Sequence, residues 1–386
     1  PKDYDAAFQE YYGLHPAPYP NEKLPMGLRP GTIFFIKGIA VDCLMCHGSS
    51  LFGKSYVGLG NTALDIQAVF EDLSAADGRS PKLPFTFSNV RGTSEAGSMS
   101  VYLLGFRDAD LKVKTPRTEL GLHDDLCEDV PAWWLLKKKK TMYHTGATDA
   151  RSVRSKMQFM MTPITPPSEF HKHEAAFRDI QEYMLSMTAP KYPLPVDTEL
   201  ATKGQKIFTA NCATCHGTYG EKSTYPNKII PLADIGTDPK RYEGIEDKFG
   251  QYYDQTWFAK EKKGWFLDGL TSYATKGYQA PPLDGIWASA PYFHNGSVPT
   301  LYHVLKSDAR PKLYTRSFRT NQEDYDTEKV GWKTTDVKAI DEKATPHERR
   351  KIYDTTQPGR SNKGHTFGDS LSEEERKAVL EYLKTL

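Results

Sequence analysis

Two five-residue segments of the same form, residues 43–47 and 212–216, constrain this chain more than any other feature. Each reads Cys-x-x-Cys-His, the sequence to which c-type haem is attached. Two thiols about one helical turn apart can form thioether bonds to the two vinyl groups of one porphyrin, and the next residue can bind the iron. A dithiol redox pair or half of a zinc site would use the same spacing. We therefore predict two covalent haem c groups, with attachment cysteines and iron-binding histidines at Cys43, Cys46, His47, Cys212, Cys215 and His216.

The remaining composition limits the class of protein. After the two motifs only Cys127 is left of five cysteines, so no further pair could complete a zinc site, and we expect Cys127 to be a small buried thiol. The 50 Lys and Arg nearly balance the 49 Asp and Glu, leaving a formal charge of +1, so nucleic acid is not an expected partner. No apolar run approaches about 18 residues, so we expect no membrane-spanning helix.

The compartment follows from the same motifs. Thioether attachment of haem is normally completed outside the cytoplasm, and the sequence begins at Pro1 without Met and without a signal sequence. We therefore expect a periplasmic or secreted protein in its mature form, with the signal peptide removed.

The distance between the motifs predicts one haem per domain. Residues 190–195 form the most linker-like run of the chain, which places a boundary there. Residues 1–191 would then hold an irregular N-terminal arm and the first haem domain, and residues 192–386 the second haem domain with a closing helix. Apolar residues recur at helical spacing within residues 66–73, 170–187, 200–208 and 379–386. We expect a mainly α fold of two cytochrome c-like haem domains with long irregular loops.

Helix starts are predicted from polar residues that can cap them. Ser168 and Asp197 each precede a helical pattern, and Ser372 with Glu375 has the spacing of a capping box.

Two adjacent tryptophans, Trp133 and Trp134, precede four consecutive lysines at residues 137–140. One indole could fill the core while the lysines stay solvated, which is the default for single residues of these types. Alternatively, an indole between two haems would relay electrons, and the basic run would dock an acidic redox partner. We interpret the tryptophans as a relay and leave the docking role open.

Three other side chains are candidates for contact with the haems. Tyr143 or His144 could be the sixth ligand of the first iron or a proton donor to bound oxygen species, although a position in a surface loop is the slightly favoured interpretation of both residues. Arg91 could pair with a haem propionate or be solvated.

Two histidines, His294 and His365, could bind the second iron opposite His216. Each lies beside glycine, which lets the backbone approach a flat porphyrin closely. The residues alone leave the choice between them open.

With these residues in view, the chain resembles the superfamily of bacterial dihaem cytochrome c peroxidases and the methylamine-utilisation dihaem enzyme. Within it, the chain is most similar to the branch of secreted dihaem rubber oxygenases. The resemblance is carried by residues 131–134 and the basic run that follows, 225–227, 236–239, 282–301 and 362–365, and the block around His294 is its most specific part.

The resemblance implies a role for several residues. His47 would be the proximal ligand of the first haem, and His216 and His365 the proximal and distal ligands of the second. His294 would lie near the edge or the propionates of the second haem, and Trp133 or Trp134 between the haems. The resemblance also allows a calcium ion between the domains, for which only backbone carbonyls near residues 289–291 are available.

These expectations combine into one function, that of a dihaem oxidoreductase. The first haem would react with hydrogen peroxide or dioxygen, and the second would store or relay electrons. A small redox protein or another donor or acceptor would be its partner. The alternative is a pure electron-transfer cytochrome in which both irons are six-coordinate.

Overall fold

The structure is a computed structural model that describes residues 3–33, 35–244, 247–262 and 268–386. Its described part is 36% helical and 15% strand, with many small sheets and loops. The expected mainly α class is therefore wrong. The physical reason lies in the 29 glycines and 26 prolines, which end helical segments early and favour turns between short antiparallel strands.

The α-helices of the described residues are mostly short, and α6, α7 and α14 are the longest. In chain order they are α1 (Tyr4–Tyr12), α2 (Leu44–His47), α3 (Ile66–Ala76), α4 (Ala96–Leu104), α5 (Val153–Met157), α6 (Pro167–Ser186), α7 (Thr198–Asn211), α8 (Ala213–His216), α9 (Leu232–Ile235), α10 (Lys240–Glu243), α11 (Asp247–Tyr253), α12 (Leu301–Leu305), α13 (Pro346–Arg350) and α14 (Glu373–Lys384). Turns of 3₁₀ helix lie at Trp133–Lys137, Gln158–Met160, Trp257–Ala259, Ile286–Ala288, Ser307–Ala309 and Gln322–Asp324.

The strands pair only with antiparallel neighbours in the described chain. They are β1 (Leu28–Ile33), β2 (Ile36–Val41), β3 (Gly48–Leu51), β4 (Lys54–Val57), β5 (Thr141–Met142), β6 (Thr148–Asp149), β7 (Ile229–Pro231), β8 (Lys260–Lys262), β9 (Asp268–Leu270), β10 (Gly277–Gln279), β11 (Leu313–Arg316), β12 (Tyr325–Asp326), β13 (Gly331–Trp332), β14 (Thr334–Asp336) and β15 (Ile352–Asp354). β14, β11 and β15 form a three-stranded sheet, and the other pairs are β1–β2, β3–β4, β5–β6, β7–β10, β8–β9 and β12–β13.

The predicted helix starts are mostly confirmed. Asp197 accepts from the Leu200 amide at 2.9 Å, and Ser372 forms the predicted capping box with Glu375. The Ser168 cap is wrong, because Pro167 starts α6 one residue earlier with its fixed backbone angle. The N-terminal arm is also more regular than expected, since Asp3 caps α1 and the β1–β2 hairpin follows it.

Buried side chains form several clusters, and two of them draw on both sides of position 191. In the largest, Trp134 packs with Trp287, Phe208 and the apolar face of α14. A second cluster joins Phe170 of α6 to Phe258. The two halves therefore share buried surface, while the domain boundary itself stays a prediction. Cys127 is 1% exposed, so the expectation of a buried thiol is confirmed.

In the part of the chain that the structure describes, no helix has both the length and the apolar character needed to cross a membrane.

Candidate redox site

The second motif is a tight helical turn at the end of α7. The amides of Cys215 and His216 donate to the Cys212 carbonyl at 3.1 and 3.0 Å, which places both cysteines and the histidine on one short turn. The Nδ1 atom of His216 lies 2.9 Å from the Pro281 carbonyl. Because a carbonyl can only accept, Nδ1 carries the proton and the Nε2 lone pair is free. Burial lowers the pKa of His216, so the imidazole is neutral and suited to bind a metal.

His365 lies opposite His216. Their ring centres are 6.2 Å apart, with an angle of 59° between the ring planes. Two imidazoles bound to opposite sides of one metal ion, with metal–nitrogen bonds of about 2.0 Å, have ring centres roughly 6.2 Å apart. Burial lowers the pKa of His365 to about 4, which keeps this ring neutral as well. The spacing thus fits the pair of axial ligands that the resemblance implies.

His294 does not share this arrangement. Its ring stacks on Tyr278 with centres 4.0 Å apart and lies 6.3 Å from the ring of His144. Its Nε2 atom is buried without a hydrogen-bond partner. His294 therefore belongs to the wall of the site, and its free nitrogen is available to a bound group.

Arg310 holds the segment that carries His365. Its guanidinium donates to the carbonyls of Asn362, Gly364 and His365, at 2.6, 2.7 and 3.2 Å. The His365 amide in turn donates to the Ile235 carbonyl at 2.7 Å. No local pattern predicts this role, because Arg310 lies in an ordinary basic segment more than fifty positions before the histidine.

We expect Gly364→Ala to disturb this segment. Gly364 has φ +77°, and an added Cβ would overlap the Gly236 backbone. Gly53 is a matched control, since it has φ +78° and open space around the same position. Gly53→Ala should cost about 1–2 kcal/mol of unfolding free energy from the left-handed backbone alone. Gly364→Ala should cost about 3 kcal/mol or more and weaken the low-spin signal of the second haem. Denaturant titration and EPR spectra check this, and equal losses in the two variants would contradict it.

A cavity of about 280 Å³ adjoins the second motif. Cys212, Cys215, His216 and His365 all line it. Most of its wall is apolar, with side chains such as Phe208, Leu283, Ile286, Phe293, Val304 and Leu383, while Asp129, Lys139, His144, Thr237, Tyr278 and His294 add polar groups. The residues present therefore fit a flat apolar macrocycle with acidic substituents, tethered at the cysteines.

The first motif has the same local form as the second. The His47 amide donates to the Cys43 carbonyl at 3.0 Å. Burial lowers the pKa of His47 to about 4, and the nearby Pro131 carbonyl opposes part of this change. A proline carbonyl thus stands beside each motif histidine. Within the described residues, the ring contact of His47 is with Trp133 at 5.1 Å, and no second imidazole stands opposite it as His365 does for His216.

The two tryptophans lie between the motifs. Trp133 contacts His47, whereas Trp134 is buried and donates from Nε1 to the Asp284 carbonyl at 2.8 Å. Asp284 closely follows Pro281, the residue that holds His216. The adjacent indoles therefore connect the surroundings of one motif to those of the other. Whether they carry electrons stays a prediction.

Tyr143 and His144 point to different neighbours. The Tyr143 hydroxyl accepts from Gln158 Nε2 at 3.2 Å, and burial raises its pKa to about 12. His144 Nε2 lies 2.8 Å from the Asp129 carbonyl. Both residues are at least partly buried, so neither lies on an open surface loop. Their contact with an iron or with bound oxygen species stays a prediction.

Arg91 is buried rather than solvated. It donates to the carbonyls of Ala63 and Glu10, at 2.7 and 2.8 Å, and lies over the Phe318 ring. These contacts leave its pairing with a propionate a prediction.

A buried ionic cluster that the sequence did not reveal lies beside the first motif. Arg241 pairs with Glu95 at 2.8 Å and with Glu128 at 3.4 Å, and Glu128 is also 3.9 Å from His144. Cys46 lies near Ser94 and Glu128. Burial raises the pKa of Glu95, so this carboxyl can hold a proton at a pH where an exposed glutamate cannot. Its members come from distant segments, so no local pattern could have found them.

The carbonyl proposed for calcium already accepts two donors. Trp332 Nε1 donates to Ala290 at 2.8 Å and Thr62 Oγ1 at 3.2 Å. In the described residues, no group of three or more His, Cys, Asp or Glu side chains is placed to hold a metal ion. Calcium binding stays a prediction.

Comparison with known sequences adds the family relation. Residues 277–315 match the model of the family described as RoxA-like, cytochrome c-like. The match contains Pro281 and the whole of residues 282–301, the block around His294 that is the most specific part of the resemblance. It supports a cytochrome c relation and implies covalently bound haem c with a redox role. Membership of the dihaem peroxidase superfamily stays a prediction.

Two curated relatives come from Sinorhizobium fredii (strain NBRC 101917 / NGR234). The chain is 31% identical to the uncharacterized protein y4iM over 295 residues, which cover 67% of this chain and 64% of y4iM. It is 31% identical to the uncharacterized protein y4iJ over 248 residues, which cover 50% of this chain and 39% of y4iJ. The chain thus spans less than two thirds of the length of either relative.

Proposed function

We propose that the chain is a periplasmic or secreted oxidoreductase with two haem c groups. One is held at Cys43, Cys46 and His47, and the other at Cys212, Cys215 and His216 with His365 on its second face. Haem bound at the first motif would supply an iron that can react with hydrogen peroxide or dioxygen, and haem bound at the second would supply a store or relay for electrons exchanged with a small redox protein or another donor or acceptor.

The observation that carries this proposal is the unequal environment of the two motif histidines. His216 faces His365 at the spacing of two axial ligands, whereas the ring contact of His47 in the described chain is an indole. A haem iron with two histidine ligands leaves no position for an exogenous ligand, and one with a single histidine leaves an open position where peroxide or dioxygen can bind.

The chain's own residues supply the rest of the chemistry. The Pro281 carbonyl would orient the His216 imidazole, and the Pro131 carbonyl lies near the His47 ring. Glu95 and Glu128 lie in the cluster beside Cys46, where the raised pKa of Glu95 allows it to hold and release a proton near neutral pH. Trp133, whose ring contacts His47, and Trp134, which donates to the Asp284 carbonyl, would form the path for electrons between the two haems.

A pure electron-transfer cytochrome is the second candidate function. It is favoured by the position of His144, whose buried ring lies 3.9 Å from Glu128 in the cluster beside Cys46 and could supply the second ligand of the first iron. In that case both irons would be six-coordinate.

Carbon monoxide separates the two functions, because it binds a reduced haem iron only at an open position. We expect the reduced holoprotein to bind about one equivalent of carbon monoxide per chain, and the oxidised or reduced protein to react with hydrogen peroxide. Optical titration measures the stoichiometry, and a haem stain with intact mass measures the haem content. Binding of no carbon monoxide together with no reaction with peroxide would favour the electron carrier.

A further inference from the structure

The four consecutive lysines do not form one exposed surface. Lys137 and Lys140 are exposed, whereas Lys138 is half-buried and pairs with Asp284 at 2.7 Å. Lys139 is only 9% exposed. In the sequence this basic run is a candidate docking surface. In the structure Lys137 and Lys140 are exposed to solvent, whereas Lys138 and Lys139 are partly or fully buried.

Lys139 faces the cavity beside the second motif. Ala132, Leu135 and Lys139 all line this cavity. Leu135 lies in the 3₁₀ turn Trp133–Lys137 that holds the two tryptophans, and Lys139 follows two residues after its end.

Lys139 has no carboxylate at ion-pair distance among the described residues, although Glu128 lies near enough to affect it. In the chain as described, Lys139 makes no ion pair, and burial lowers its pKa to about 8, with Glu128 opposing this change. Glu128 is already paired with Arg241. Asp129 also lines the cavity, where burial raises its pKa well above the usual range and so disfavours its charged form. A buried cation in such surroundings is unfavourable unless an anion joins it.

Other polar atoms on the same wall lack partners. Thr237 Oγ1 and His294 Nε2 are buried, line the cavity and make no hydrogen bond. They are linked to Lys139 through neighbouring residues. The charge of Lys139 helps to lower the pKa of His144, and the ring centres of His144 and His294 lie 6.3 Å apart. His294 stacks on Tyr278, whose hydroxyl donates to the carbonyl next to Thr237 in the chain. This part of the cavity wall thus carries hydrogen-bonding groups and the Lys139 ammonium, in addition to the two thiols that would tether the porphyrin.

We propose that Lys139 binds a propionate of the haem held between His216 and His365 and raises the reduction potential of that haem. The proposal rests on haem binding at the second motif, as argued above. A haem propionate is a carboxylate at the edge of the macrocycle, and it supplies the anion that the buried ammonium requires. The positive charge favours the reduced iron, which carries one positive charge less than the oxidised iron.

The test is a redox titration of the low-spin haem in the holoprotein, in variants loaded with both haems. Lys139→Gln should lower the equilibrium constant for reduction by about tenfold, which corresponds to about 59 mV for a one-electron couple. Lys139→Arg keeps the charge and should stay within about threefold of wild type. Lys137→Gln and Lys140→Gln remove the same charge from the exposed surface, where water and salt screen it, and should also stay within about threefold.

A second variant covers the case in which Lys139→Gln does not fold. Histidine has an ordinary pKa of about 6.5, so Lys139→His carries the charge at low pH and loses it as the pH rises. Between roughly pH 5 and pH 7 the equilibrium constant for reduction should fall about tenfold more in this variant than in wild type, because the lysine keeps its charge over this range.

Three results would overturn the proposal. A loaded Lys139→Gln protein with the potential of the Lys137→Gln control would show that Lys139 does not act on the haem, while the proposed function would stand. A Lys139→His protein whose potential follows that of wild type across the pH range would lead to the same conclusion. A wild-type protein without haem would remove both this proposal and the proposed function.

Discussion

His365→Ala is expected to abolish the low-spin EPR signal of the second haem and to replace it with a high-spin or water-ligated signal. Alanine has no atom that can bind a metal, and the 6.2 Å spacing between His216 and His365 leaves room for a small exogenous ligand once the second imidazole is gone. Carbon monoxide binding to the reduced protein should rise from about one to about two equivalents per chain. The measurements are EPR spectra of the oxidised protein and an optical titration of the reduced protein.

His294→Ala is the matched control for this experiment. His294 is also a buried histidine of the cavity wall with a lowered pKa, but it stacks on Tyr278 and does not face His216. The His294→Ala protein should therefore keep the low-spin signal of the second haem, with only small shifts caused by the changed surroundings. An unchanged low-spin signal in His365→Ala, together with its loss in His294→Ala, would transfer the ligand assignment from His365 to His294.

The local parts of the site could be predicted from the sequence because short-range chemistry fixes them. The Cys-x-x-Cys-His spacing requires one helical turn, and both motifs form such a turn. The caps at Asp197 and Ser372 follow from side chains that reach amides three residues away. His365 and His294 are both candidates from the residues alone, and the ranking of His365 as the ligand, which the resemblance implies, stays a prediction.

The long-range parts could not be predicted, for two physical reasons. Arg310, Lys139 and the Arg241 cluster act through contacts with segments far away in the chain, and an arginine or lysine looks solvated in any local window. The predicted mainly α class is wrong because apolar residues at helical spacing show where helices form. They do not show that the chain between these helices forms short β-hairpins. The segment that leads into the first motif, for example, forms the β1–β2 hairpin.

Replacing Cys43 and Cys46 together by serine is expected to remove one covalent haem, so that the intact mass falls by about one haem per chain. Serine hydroxyls do not form thioether bonds, and without them His47 alone must hold the porphyrin. The same protein should lose carbon monoxide binding and the reaction with peroxide, because both are assigned to the first haem. It should keep the low-spin signal of the second haem, since Cys212, Cys215, His216 and His365 are unchanged.

Cys127→Ser is the control for the loss of thiols. Cys127 is buried beside Val90 and the stacked rings of Tyr314 and Tyr353, outside both motifs. This variant should keep two haems and the reaction with peroxide, with a modest loss of stability of about 1 kcal/mol from the buried hydroxyl. The opposite result in the two variants would contradict the assignment of the reaction with peroxide to the first haem. If the variant without Cys43 and Cys46 still reacts with peroxide and binds carbon monoxide, the open iron lies at the second motif, and the spacing of His216 and His365 does not reflect two bonds to one iron.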